Sequence, residues 1–128
     1  LDVDGHDTAN KLALIANACM GADLRPEEVD RTGITQVSAE AIRQASAQGR
    51  TLRLVGRAER GQDGRVRARV APEALPPDHP LAAVDGAEKG ITYVTDTMDR
   101  VTVLGGKSDP RGAAAALLKD LINIYRAP

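Results

Sequence analysis

Aromatic side chains are almost missing from this sequence, which contains no Phe, no Trp and only 2 tyrosines in 128 residues. Recognition of single-stranded nucleic acid depends on stacking bases against aromatic rings, so this class of partner is not expected. The charges point the same way, because 17 basic residues nearly balance 18 acidic ones and leave a formal net charge of -1. No overall field would draw the protein to DNA, RNA or an anionic membrane.

Cysteine and histidine are scarce as well. The single cysteine, Cys19, excludes an internal disulfide, and its position inside an apolar stretch predicts a small buried residue rather than a nucleophile. His6 and His79 are far apart and have no companion at metal-ligand spacing, so no metal site is predicted.

No apolar run approaches the roughly 20 residues of a membrane-spanning helix. We therefore expect a soluble, cytoplasmic protein of a single domain.

The pattern of apolar and turn residues predicts the order helix, helix, strands, helix. A first helix should begin at Asp4 as its N-cap and run to about Met20. A second should follow Ser38 as its N-cap and end at Gly49, where glycine readily closes a helix. Between the two helices, the segment ITQVS (34–38) is predicted to be extended.

Strands are predicted in two pairs. The first consists of TLRLVGRAER and RVRARV on either side of GQDG, which alternate as a hairpin with one buried face requires. The second consists of KGITYVTDT and RVTVLG around a turn at Met98 and Asp99. The last helix, from about Arg111 to Arg126, has apolar residues at helical spacing that should pack on the sheet. The predicted fold class is α+β, with a mainly antiparallel sheet and helices packed on one face.

Two stretches look like common binding motifs but lack the pattern that those motifs require. GGKS follows a predicted strand, yet Val101 stands where a phosphate-binding P-loop needs glycine, so we interpret the stretch as a strand-to-helix turn. The arginines of the first hairpin, including Arg65, Arg67 and Arg69, recur at the period of a strand. They predict a solvent-facing or subunit-facing surface rather than a nucleic-acid site.

The helix that begins DGHDTANK carries the most informative charges. A turn of about 100° per residue places Asp7 and Lys11 on one arc with Leu14 and Ile15, which we predict to be the buried side. An acid and a lysine four residues apart suit a solvated ion pair worth about 0.2 to 0.5 kcal/mol. They also suit a functional pair on an inner surface, and spacing alone leaves both interpretations open.

Four segments occur in an order that resembles the catalytic, substrate-binding domain of homoserine dehydrogenase. They are DVDGHDTANKLALIA, GIT followed by SAEAI, VAPEALPPDHPLAAVDG, and a glycine turn before AAAALLKDL. The resemblance covers nearly the whole chain, so it assigns residues 1–128 to this domain. It implies an NAD(P)-dependent oxidoreductase that interconverts L-aspartate semialdehyde and L-homoserine in threonine and methionine biosynthesis and forms a homodimer. It also implies that the Rossmann domain for NAD(P) is absent from this chain, which begins at Leu1 and is expected to be incomplete as an enzyme.

The resemblance implies roles for five residues. Lys11 would be catalytic, stabilising or protonating the oxygen that gains negative charge when hydride is added. Asp7 would steady the Lys11 ammonium and bind the substrate's polar end. Asp2 would help to hold the substrate's amino group. Gly105 and Gly106 would lie beside the nicotinamide of the cofactor.

The sequence departs from the family pattern on the cofactor side. The turn reads GGKSDPRG, which places Lys107, Ser108 and Asp109 where small residues are usual. Lys89 stands where the family usually has Asn. Bulky side chains in the turn could block the nicotinamide, so a second interpretation stays open. In that interpretation the chain is a non-catalytic module that retains the fold for dimerisation or for binding a small ligand.

Overall fold

The computed structural model describes residues 2–106 and 109–126, and the chain divides into two compact units. Residues 1–77 form the first unit and residues 78–128 form the second. The described elements are helices together with one mixed and one antiparallel sheet. They confirm the predicted α+β class.

The first unit contains two α-helices and a three-stranded sheet. In chain order these elements are α1 (His6–Met20), β1 (Asp30–Arg31), α2 (Ala39–Ala47), β2 (Thr51–Arg60) and β3 (Val66–Leu75). The pairing of β2 with β3 is antiparallel, which confirms the predicted hairpin. β1 joins the other side of β3 in parallel, so the strand order is β1-β3-β2. The two residues of β1 are too few to produce a periodic pattern, and the sequence did not predict this strand.

The core of the first unit lies where α1 packs on β2 and β3. The buried residues of this cluster are small or medium-sized: Ala9, Ala13, Val29, Ala68 and Val70. Gly56 of β2 faces the helix, and a Cβ there would lie 3.2 Å from Cγ2 of Thr8 and 3.4 Å from Cδ2 of Leu12. Since Gly56 has no side chain, α1 can approach the sheet closely.

Three local predictions for the first unit are wrong. α1 follows Gly5 as its N-cap rather than Asp4, and the φ of 76° at Gly5 is in the left-handed region that glycine adopts readily. Residues 34–38 turn rather than extend, because the N–H of Val37 donates to the carbonyl of Ile34 at 3.0 Å. Cys19 is exposed rather than buried, since it lies outside the arc of alanines that contacts the sheet.

The start of α2 matches its prediction. Ser38 is the N-cap, and its Oγ accepts a hydrogen bond from the N–H of Ala41 at 3.1 Å. This bond satisfies one of the N–H groups that the first turn of a helix leaves without a partner. Gly49 follows the helix with a φ of 68°, as expected for a residue that closes it.

The second unit contains a separate two-stranded sheet and one α-helix. Its elements are β4 (Lys89–Thr95), β5 (Asp99–Gly105) and α3 (Pro110–Tyr125), preceded by a short 3-10 helix (Pro80–Ala83). β4 and β5 form the predicted antiparallel hairpin. His79 caps the short helix, since its Nδ1 accepts a hydrogen bond from the N–H of Leu81 at 3.2 Å. This contact gives His79 a structural role at the start of the short helix.

The bounds of α3 match the prediction to within about one residue at each end, but its predicted packing is wrong. All its residues are exposed, and the apolar ones include Leu117, Leu118, Leu121 and Tyr125. Helical spacing of apolar residues indicates that a face suits burial, but it does not identify the surface that covers the face. None of the described helices has the length and hydropathy that a membrane span requires.

Candidate functional site

The charged pair of α1 lies on the exposed side of the helix. Nζ of Lys11 donates a hydrogen bond to Oδ2 of Asp7, and the two side chains are 54% and 61% exposed. The predicted burial of this side is wrong, because the buried residues of α1 are Ala9, Ala13 and Ala16. At about 100° per residue, these alanines share an arc on the opposite side of the helix.

The exposed position of the pair has a chemical consequence. An ion pair of this kind on a helix contributes only about 0.3 to 0.5 kcal/mol to stability. The Lys11 ammonium has three N–H donors, and Asp7 accepts from one of them. Leu14 follows on the same side and is also exposed. This face of α1 therefore presents a cation, an anion and an apolar side chain together.

Asp2 caps α1 from outside the helix. The N-cap residue, Gly5, has no side chain for this purpose, and Oδ2 of Asp2 instead accepts from the backbone N–H of Thr8 at 2.8 Å and from Oγ1 of Thr8 at 2.9 Å. Burial by itself raises the pKa of the Asp2 carboxyl, but hydrogen bonds from Thr8 and from the backbones of Asp7 and His6 hold that pKa below its usual value. An ionised carboxylate is thereby held against the first turn of α1.

Thr8 is the residue of this site that sequence reasoning missed. In the sequence it is only a β-branched residue early in a helix, a place where its type carries no functional signal. The sole sequence signal for this contact is the presence of an acid, Asp2, six residues before Thr8. The structure brings Asp2, Asp7 and Lys11 to the start of α1, with Thr8 joining the first of them to the helix.

The two glycines predicted to face a nicotinamide follow one another at the end of β5 in the second unit. Gly105 has a φ of 127° and Gly106 a φ of 74°, values that L side chains rarely adopt. A Cβ built on either would meet no atom of residues 2–106 and 109–126 within 4 Å. With respect to those residues the turn presents bare backbone, and such a surface fits the close approach of a flat ring.

The departures near this turn can be located only in part. Asp109 is the N-cap of α3, and its Oδ1 accepts from the N–H of Arg111 at 2.8 Å. Lys89 begins β4 and stands opposite Gly105 in the hairpin. Lys107 and Ser108, on which the predicted steric block depends, lie outside the described residues.

The arginine-bearing face of the first hairpin has carboxylate partners of its own. Nη2 of Arg57 lies 2.7 Å from Oε2 of Glu73, and Nη2 of Arg69 lies 3.1 Å from Oε1 of the same residue. Arg67 pairs with Asp63 at 2.6 Å. These pairs neutralise much of the positive charge on the strands.

Within residues 2–106 and 109–126, no group of three His, Cys, Asp or Glu residues is placed to hold a metal ion.

Comparison with known sequences relates this arrangement to one enzyme family. The family model described as homoserine dehydrogenase matches residues 1–122. An NAD(+)-dependent homoserine dehydrogenase of Pseudomonas canavaninivorans is 34% identical over 126 residues, which cover 98% of this chain and 36% of that protein. A homoserine dehydrogenase of Synechocystis sp. is 35% identical, with 96% of this chain and 29% of that protein covered. The chain thus spans about a third of the length of these relatives.

Solved structures share the fold. A homoserine dehydrogenase of S. aureus superposes with a TM-score of 0.90 at 27% identity, and the match covers 97% of this chain and 31% of that one. A homoserine dehydrogenase of Thiobacillus denitrificans gives a TM-score of 0.86 at 28% identity, with 99% of this chain and 31% of that one covered. In each case the likeness extends over nearly all of this chain.

Proposed function

Since this chain belongs to the homoserine dehydrogenase family, we propose that residues 1–128 are the catalytic and substrate-binding domain of such an enzyme. The enzyme would interconvert L-aspartate semialdehyde and L-homoserine with NAD(P), in the cytoplasm, as a step of threonine and methionine biosynthesis. The observation that carries this proposal is the exposed Asp7–Lys11 pair on α1, with the ionised Asp2 carboxylate held against the same helix. The relatives are about three times as long as this chain, and we assign the main NAD(P)-binding role in such an enzyme to a Rossmann domain outside residues 1–128.

The proposed binding of substrate follows from its charge. Both the semialdehyde and homoserine carry an α-ammonium group, which a carboxylate attracts. Asp2 suits this role because its hydrogen bonds keep it ionised while it remains only partly buried. The carboxylate of Asp7, in the first turn of α1, adds negative charge for the polar end of the substrate.

Lys11 has the chemistry that the reacting oxygen needs. Negative charge develops on the carbonyl oxygen of the semialdehyde when hydride adds to its carbon, and an ammonium can stabilise that charge and then donate a proton to form the alcohol. In the reverse direction the neutral amine of Lys11 would accept the hydroxyl proton of homoserine. Asp7 orients the Lys11 side chain through their hydrogen bond. A nicotinamide would supply or accept the hydride when bound, and Gly105 and Gly106 would offer it a backbone surface without side chains.

Steady-state kinetics of Lys11→Ala in the complete gene product tests the proposal. We expect the turnover rate to fall by about 10² to 10⁴-fold, the range associated with groups that transfer a proton or stabilise developing charge. Asp7→Asn should affect turnover less and raise the KM for the substrate. Thermal melts of both variants should change little, because the pair is exposed.

Arg43→Ala is the matched control for this experiment. Arg43 forms a similarly exposed helical ion pair with Glu40 on α2, at 2.7 Å. Loss of this pair should leave turnover close to that of the wild type. Turnover in Lys11→Ala that equals that of Arg43→Ala would remove Lys11 from the catalytic machinery.

A homodimer is the assembly that we propose. Apolar side chains remain exposed on the β4–β5 hairpin, namely Tyr93, Val94, Val103 and Leu104. An exposed apolar group of this kind on a strand pair favours contact with another protein surface.

The second candidate function, a non-catalytic module for dimerisation or small-ligand binding, is favoured by Lys107 and Ser108 in the glycine turn. A complete gene product that binds homoserine without oxidising it would favour that alternative.

A further inference from the structure

We propose that Thr8 is a positioning residue, whose side chain holds the Asp2 carboxylate in the place and orientation in which Asp2 receives the ammonium group of the substrate. The inference rests on the function proposed above and adds a residue to it. Thr8 itself does not need to touch the substrate, since it acts through Asp2.

Thr8 contacts one oxygen of this carboxylate twice. Its backbone N–H lies 2.8 Å from Oδ2 of Asp2, and its hydroxyl oxygen lies 2.9 Å from the same atom. Because an ionised carboxylate only accepts hydrogen bonds, the hydroxyl must be the donor. The backbone N–H groups of Thr8, Asp7 and His6 also bind this carboxylate, and the Thr8 hydroxyl adds a side-chain donor to them that further restricts its rotation.

Thr8 is also fixed from its other side. Its Cγ2 lies over Gly56 of β2, where a Cβ would come within 3.2 Å of it. A threonine in a helix divides between two χ1 rotamers. The contact of its methyl group with the strand and the hydrogen bond of its hydroxyl to Asp2 select one of them. The two branches of the Thr8 side chain thus connect the carboxylate to the sheet.

The connection matters because Asp2 belongs to no helix or strand. A carboxylate on such a segment has no regular backbone of its own to hold it, so its position depends on the donors that bind it, and the Thr8 hydroxyl is one of them. Loss of the Thr8 hydroxyl would remove a hydrogen bond that favours the ionised form and would leave the carboxylate less firmly oriented. Binding of the substrate should then weaken, while Lys11, in the second turn of α1, keeps its place for the chemical step.

Kinetics of Thr8→Val and Thr8→Ser in the complete gene product tests this inference. Valine keeps the shape of the side chain without the hydroxyl, and serine keeps the hydroxyl without the methyl. We expect Thr8→Val to raise the KM for homoserine by roughly tenfold, on the scale of one hydrogen bond to a charged group, and to leave kcat within about twofold. Thr8→Ser should recover most of the wild-type KM. Thr8→Ala provides a second loss of the hydroxyl if Thr8→Val does not fold.

The outcomes separate this inference from the proposed function. An inactive wild-type protein would overturn both. An active wild type with an unchanged KM in Thr8→Val would overturn the inference alone. A lowered melting temperature without a change in KM would identify Thr8 as a structural residue, and a Thr8→Ser variant as impaired as Thr8→Val would exclude the hydroxyl as the cause. Either result would refute the positioning role.

Discussion

Glu73 provides a direct test of what stabilises the β2–β3 hairpin. Only 17% of its side chain is exposed, and it pairs with both Arg57 and Arg69. Those two arginines stand opposite one another in the strand register. Like charges in this position repel each other, so Glu73 offsets an unfavourable contact as well as forming favourable ones.

Glu73→Gln keeps the size of the side chain and removes its charge. A hydrogen bond to a charged group contributes about 1.5 to 3 kcal/mol, whereas an exposed ion pair contributes about 0.2 to 1 kcal/mol. Arg57 and Arg69 are 40% and 56% exposed, so water can hydrate both guanidinium groups in the variant and offset part of the loss. We therefore expect the free energy of unfolding to fall by about 1 to 2 kcal/mol.

Urea denaturation of the chain at neutral pH measures this change, with Glu59→Gln as its control. Glu59 makes the same kind of contact with Arg57, but at 3.8 Å and with 70% of its side chain exposed. Its replacement should lower the free energy of unfolding by no more than about 0.5 kcal/mol. Equal losses in the two variants would refute the argument from burial and geometry.

The effect of Glu73 should also depend on pH in a defined direction. The side-chain hydrogen bond from Arg57 is the largest influence on this carboxyl, and it lowers the pKa of Glu73 below its usual value in spite of burial. A depressed pKa in the folded state stabilises the protein above the unfolded pKa, and this stabilisation is lost as the pH falls through the folded value. The difference between wild type and Glu73→Gln should therefore shrink in acid. A difference that persists after Glu73 is protonated would contradict the assignment.

Two further predictions concern the partners of the chain. Sedimentation at micromolar concentration should detect a dimer, because apolar side chains of the β4–β5 hairpin are exposed; a monomer at every concentration of a wide dilution series would count against it. Calorimetry should detect no binding of NAD(P)H to the isolated chain, since a pyrophosphate needs a helix N-terminus of the kind that a Rossmann domain supplies. Micromolar affinity would instead make the Gly105–Gly106 turn a sufficient cofactor site.

Local signals in the sequence predicted the elements better than their packing. Ser38 and Gly49 were identified at the ends of α2 because capping depends on neighbouring residues. The prediction of the buried face of α1 was wrong. Leu14 and Ile15 are more hydrophobic than alanine, and their side of the helix was therefore expected to face the core. The helix instead packs through small residues, which fit against Gly56 of a strand that lies far away in the sequence. That complementarity is a property of two segments and cannot be derived from the periodicity of one.

In the candidate site, too, one contact could be predicted from local sequence and another could not. The spacing of Asp7 and Lys11 predicted their contact, because residues four apart adjoin on a helix. The contact between Asp2 and Thr8 was not predicted, since it depends on how the segment before the helix turns at Gly5. The roles of these side chains in a reaction stay predictions until the kinetic experiments are made.

The exposure of Asp7 and Lys11 on a convex helix surface bears on how a reaction there would begin and end. A convex surface cannot surround a substrate, so water has access to the pair until another surface of the protein covers it. Folding therefore avoids the desolvation of two charges, and under the proposed function that unfavourable step would be deferred to each closure over the substrate. In such an arrangement the opening and closing of the covering surface can limit the overall rate, and a substitution far from Lys11 could slow the enzyme without altering its chemistry.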